Sequence, residues 1–179
     1  SPEAVAEEKG KLVRALKPDG VLVFNQDDEK VVKMAQSIFQ QSIGYSRYAT
    51  SPFMASKDKI VYEHGKAVGY EFTLTHLESA VPTRIMGSLG VQHAYNYAAA
   101  AAVASAYGIS LEEVVSALDT HVPPPGRMRL IPGIKETLII DDTYNSSPAA
   151  AASAIQTFYG MDASQRIAIM GSMNELGDV

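Results

Sequence analysis

The sequence predicts an α/β protein in two parts: a first part of helices and strands carrying a small antiparallel β insertion, then the opening βαβ unit of a second sheet. Three observations carry this. Apolar residues recur at helical spacing in several segments, and short β-rich runs bounded by turn residues stand between them. The stiff run Val122-Pro123-Pro124-Pro125-Gly126 then breaks the chain, dividing residues 1–125 from 126–179. The composition of the 179 residues, 46% hydrophobic and 20% charged, is that of a globular protein and excludes a disordered or fibrous one.

Each element follows from local chemistry. Ser1 and Pro2 suit an N-cap and first helical position, with a helix to about Ala15 whose inward stripe is Val5, Lys9, Leu12 and Leu16. Lys17-Pro18-Asp19-Gly20 is turn chemistry, and Val21-Leu22-Val23-Phe24 is a buried-strand run. A second helix is expected over 29–41. The β-rich runs 43–48, 59–62, 70–74 and 81–86 form the insertion, with Glu63-His64-Gly65-Lys66 as a hairpin loop. Helices are expected over 91–107, stopped by Gly108, and from the capping box at Ser110 to about Thr120. Past the prolines, strand 137–140, a helix from Ser147-Pro148 to about Tyr159 and strand 166–170 suggest a parallel βαβ unit, with ligands at the strand carboxyl ends.

Charge and cysteine content exclude whole classes of function. A net charge of -5 with no basic block argues against a reader of nucleic-acid backbones. With no cysteine there is no disulfide, thiol catalysis or thiolate metal site, a composition that suits the cytoplasm. The longest apolar stretch, 97–106, falls short of the roughly 18–20 residues of a membrane span. The start has no signal-peptide pattern, and the chain reads as an internal piece of a longer one.

Four places could carry chemistry. Lys9 interrupts an apolar helix face: either its stem snorkels, or it is a partly desolvated amine open to base chemistry or modification. Gln92, His93 and Asn96 sit near a helix N-terminus, where amides could read an adenine edge or simply cap. A lone histidine such as His93 is more often structural than a ligand. Asp141-Asp142-Thr143-Tyr144-Asn145 ends a buried strand, placed to take ribose hydroxyls, or one aspartate caps the next helix. Arg127 follows the prolines as either a bidentate phosphate clamp or a surface ion-pair partner. The fourth, Gly171 to Gly177, is a glycine-bearing loop, weak alone, and no G-x-x-x-x-G-K-[ST] phosphate loop is present.

In this order, the segments resemble the Mur ligases, the ATP-dependent enzymes that build the peptide stem of peptidoglycan precursors. Asp141 to Pro148 is similar to the D-D-S-Y-N-A-N-P stretch of the branch that adds D-alanyl-D-alanine, and Gly171 to Gly177 to its G-D-M-x-E-L-G. Supporting likenesses are residues 3–12, Asn25 to Asp28, Gly90 to Ala99 (G-x-H-N-x-x-N-x-x-A) and Gly126-Arg127. Departures are Gln92 and His93 where the family has His then Asn, and Ser172 for an aspartate.

The resemblance implies the second half of the central ATPase domain plus the start of the Rossmann-like C-terminal domain. The implied reaction joins D-alanyl-D-alanine to UDP-N-acetylmuramoyl-tripeptide through an acyl phosphate, with ATP and Mg2+. It further implies that Lys9, as its carbamate, helps hold magnesium, that Arg127 contacts the nucleotide phosphates, and that His93, Asn96, Asp142, Tyr144 and Asn145 line the nucleotide cleft. With the phosphate loop and other metal ligands outside the chain, this piece alone is expected to be inactive. The rival readings are another ligase of the superfamily, including the folylpolyglutamate type, and a non-catalytic nucleotide-binding module.

Overall fold

In the computed structural model, residues 1–173 are described, and the order of elements mixes helices and strands throughout. Helix α1 (Pro2–Arg14) starts where Ser1 Oγ accepts from the Ala4 amide at 3.4 Å. Strand β1 (Val21–Asn25) follows, then helix α2 (Glu29–Ala35), capped by Asp28, whose Oδ1 accepts from the amides of Lys30 and Val31. Strand β2 (Gln41–Ser46) leads to β3 (Phe53–Glu63), β4 (Lys66–His76) and β5 (Ser79–Met86). Helices α3 (Gln92–Ser105) and α4 (Leu111–Leu118) come next, the second on the capping box that Ser110 and Glu113 predict. The chain continues through β6 (Arg129–Pro132) and β7 (Leu138–Asp141) to α5 (Pro148–Tyr159), capped by Ser147.

Five strands form one sheet in the order β1-β2-β3-β4-β5, and β6 and β7 form a separate hairpin. β1 and β2 run parallel, Val21 opposite Gln41 and Asn25 opposite Tyr45, and β2 and β3 are parallel from Tyr45 opposite Phe53. The parallel βαβ unit is therefore β1-α2-β2, near the start of the chain. The β insertion expected after residue 42 continues this sheet, with β3, β4 and β5 following β2 in order. α2 is also shorter than expected. Ser37 donates its hydroxyl to the Met34 carbonyl at 2.6 Å, taking an acceptor the helix needs to continue.

A second correction concerns the region after the prolines. β7 pairs antiparallel with β6, Arg129 opposite Asp141, through a 3-10 turn at Ile134–Glu136 where Lys135 and Glu136 take positive φ. Residues 166–170 form no strand among the described residues, and Ile167, Ile169 and Met170 are 70%, 94% and 56% exposed. A β-rich run without a neighbouring strand stays extended and solvated.

The contacts divide the chain into two compact units: residues 1–57, 72–83 and 94–119 in the first, and residues 58–71, 84–93 and 120 onward in the second. β3, β4, β5 and α3 each give residues to both. In the first unit the alanines of α3 (94, 98, 101 and 102) are buried, with Phe72 edge-on to Tyr97 at 5.5 Å between ring centres. Small side chains let a helix approach a sheet closely. The second unit is built on Ala67, Leu89, Met128 and Met161, with Leu130, Ile140 and Phe158 packed against them. No helix among the described residues is long and apolar enough to cross a membrane.

Candidate functional site

The second unit brings two of the sequence-predicted segments together. β7 ends in Asp141 and Asp142, and both carboxylates turn back onto the loop that follows the prolines. Asp141 Oδ2 accepts from the Gly126 amide and Asp142 Oδ1 from the Met128 amide, both at 3.1 Å. Asp141 Oδ1 also accepts from the Thr143 amide and hydroxyl, the latter at 2.6 Å. The Tyr144 amide closes the corner on the Gly126 carbonyl at 3.2 Å. Gly126 has φ +72, and a Cβ there would lie 2.9 Å from the Tyr144 nitrogen, so the corner needs a glycine on both counts.

Arg127 projects from this corner. Its side chain is exposed, and the guanidinium lies over the Tyr144 ring, 4.2 Å from its centre. That cation–π contact holds a planar five-donor group at the surface, the form an incoming oxyanion recognises. Tyr144 is 71% exposed, and Asn145 is exposed with its Oδ1 accepting from Ser146.

The two aspartates differ electrostatically. The Thr143 hydroxyl holds the Asp141 carboxyl below the ordinary range, whereas burial pushes Asp142 up, against the pull of the Met128 amide and the Arg127 cation. Asp142 is thus the less solvated acceptor, half-buried at the foot of the arginine.

His93, in the first turn of α3, is buried beneath the same loop. Its Nε2 lies 2.8 Å from Ser88 Oγ, and that hydroxyl also lies 2.9 Å from the Arg127 carbonyl and 3.0 Å from the Met128 carbonyl. Burial pushes the imidazole down to about 4, so it is neutral at pH 7. The sequence offered no signal for Ser88, a single serine at 0% exposure between two glycines.

The first unit holds the other two predicted residues. Asn96 is exposed on α3. Lys9 is exposed, as are Val5 at 59% and Leu12 at 77%, which corrects the inward stripe: α1 turns Gly10 inward, with Ala6, Val13 and Leu16 half-buried beside it. The small residues mark the covered face, because they admit close approach where the larger apolar ones do not. Asp27, in the segment 25–28, accepts from Ser46 Oγ at 2.6 Å, the Arg47 amide at 2.7 Å and Tyr95 Oη at 2.9 Å. It ties the loop after β2 to α3.

Known proteins resemble the chain in sequence and in fold. The sequence profile of the Mur ligase middle domain matches residues 1–104. A UDP-N-acetylmuramoyl-tripeptide--D-alanyl-D-alanine ligase of Mycobacterium tuberculosis H37Rv is 31% identical over 99% of this chain and 35% of its own length. The ligase of the same name from Synechocystis is 27% identical over 98% of the chain and 35% of its own length. In fold, the chain is similar to MurF from Acinetobacter baumannii, with a TM-score of 0.76 and 24% identity over 90% of this chain and 34% of that one. The chain spans about a third of the length of these relatives.

Proposed function

The chain belongs to the Mur ligase family, and from that membership we propose that it is part of an ATP-dependent ligase joining D-alanyl-D-alanine to UDP-N-acetylmuramoyl-tripeptide in the cytoplasm. One observation carries the assignment: two segments some fifteen residues apart, Gly126-Arg127 and Asp141-Asp142, are locked together by carboxylate-to-amide hydrogen bonds and leave a guanidinium on an aromatic shelf. Relatives named for this reaction match along nearly the whole chain.

In the proposed reaction the substrate carboxylate attacks the γ-phosphorus of ATP and ADP leaves. The amine of D-alanyl-D-alanine then attacks the acyl carbon and phosphate departs. Arg127 would bind the nucleotide phosphates in bidentate fashion, released from Tyr144 or sharing it, and so offset the charge that builds during transfer. Asp142, Tyr144 and Asn145 would line the ribose side, and Asn96, at the N-terminal end of α3, would face the base. The boundary between central and C-terminal domains belongs to the same proposal, at residues 125 and 126.

Magnesium is a further part of the reading. Lys9, as a carbamate, would offer an anionic oxygen of the kind magnesium prefers. Among the described residues no group of three or more His, Asp or Glu side chains is arranged to hold a metal. The donors among the described residues thus do not make up a complete magnesium site.

The test is phosphate release by the complete ligase carrying this chain, with and without each substrate. Release that requires both UDP-N-acetylmuramoyl-tripeptide and D-alanyl-D-alanine is expected. Release stimulated instead by another amino acid would move the assignment to a sister ligase, and no nucleotide hydrolysis under any condition would overturn it.

A further inference from the structure

The buried Ser88–His93 pair is used by nothing in the proposed reaction, yet it touches the backbone of the one arginine that is. Carbonyl oxygens only accept, so the single proton of the Ser88 hydroxyl must point toward the carbonyls of Arg127 and Met128, at 2.9 and 3.0 Å. The third neighbour, His93 Nε2 at 2.8 Å, must then be the donor. The arrangement that satisfies all three contacts runs from imidazole N–H to hydroxyl and from hydroxyl O–H to the loop carbonyls. Ser88 and His93 are 0% and 5% exposed, so the relay is shielded from water. Two further bonds act on the same stretch. The Leu89 amide donates to the Met128 carbonyl at 3.0 Å, and Asp142 accepts from the Met128 amide at 3.1 Å. The peptide on the carboxyl side of Arg127 is thus gripped through both its carbonyl and its amide, while the side chain stays exposed.

We infer that Ser88 and His93 are positioning residues for Arg127: a neutral imidazole at the start of α3 fixes, through one hydroxyl, the backbone from which the phosphate-binding guanidinium projects. This rests on the nucleotide reading of Arg127 given above. It also gives a physical role to the departure at position 93, where the family pattern has asparagine: in this chain the residue is turned into the protein, toward Ser88.

The complete ligase carrying this chain tests it with three variants. Arg127→Ala is expected to raise KM for ATP and lower kcat. Ser88→Ala and His93→Ala should each raise KM for ATP by about five- to tenfold, the effect of one lost hydrogen bond, with KM for D-alanyl-D-alanine unchanged. Because the two act in series, the double variant should be little worse than either single one.

A Ser88→Ala protein with lowered thermal stability but unaltered KM for ATP, alongside an impaired Arg127→Ala, would overturn the positioning role alone. An Arg127→Ala protein with unaltered ATP kinetics would remove the nucleotide reading, and the positioning role with it. Should the variants not fold, nitrogen NMR of the unaltered protein decides. A neutral His93 protonated at Nε2 is expected at pH 7, and protonation at Nδ1 instead would refute the relay.

Discussion

Asp141 and Asp142 are adjacent in sequence and opposite in their effect on stability. Burial lifts Asp142 above the ordinary 3.8, so its ionised form weakens the fold at neutral pH, and that cost fades as pH falls through its raised value. Asp142→Asn keeps an oxygen to accept from Met128, and is expected to stabilise the protein at pH 7, with the gain vanishing in acid. Asp141 is held below 3.8 by Thr143, so it stabilises above that pH and loses the contribution as pH falls. Asp141→Asn should therefore be less stable than the unaltered protein at pH 7, the two converging as pH falls through the lowered value of Asp141. Urea unfolding at stepped pH checks both signs, and equal responses would contradict the assignment of environments. The sequence made this corner legible because carboxylates at a strand end and an arginine after prolines are unusual in combination. Ser88 escaped notice because its role is set by neighbours some forty residues away.

At the scale of elements, start signals were legible and stop signals less so. Ser1, Ser110 and Ser147 all cap the helices they announce, whereas the cap that Asp28 makes on α2 was not read from the sequence. Ser110→Ala removes the hydroxyl that accepts from the Glu113 amide, leaving only the backbone amide of residue 110 to bond the Glu113 carboxylate, and should lower stability by about 1 kcal/mol, read as a shift in the urea midpoint at constant slope. An unchanged midpoint would mean that α4 is held by packing alone. The hairpin at Glu63-His64-Gly65-Lys66 formed as expected, with His64 and Gly65 both at positive φ. Strand direction was not legible. A run of apolar residues does not say which neighbour it pairs with, and so β2 joined β1 in parallel while β7 folded back on β6.

For the whole molecule, the surface of α1 bears on function. Val5, Lys9 and Leu12 face solvent together, although two of the three are large and apolar. The 179-residue chain carries no phosphate loop, so it is expected to bind ATP no better than millimolar, with calorimetry as the check. Micromolar binding by this chain would show that the site is complete without further sequence, contrary to the proposed reading.

The path of the chain through its two compact units has a last consequence. The polypeptide passes from one to the other five times, at residues 57, 71, 83, 93 and 119. Neither unit can be excised with a single cut. A peptide of residues 126–179 would take Met128 and Met161 with it but leave behind Ala67 and Leu89, the other half of their apolar centre. Recombination at any point between residues 57 and 119 would therefore divide a unit from part of its own sequence, as cutting one strand of a braid leaves no plait whole.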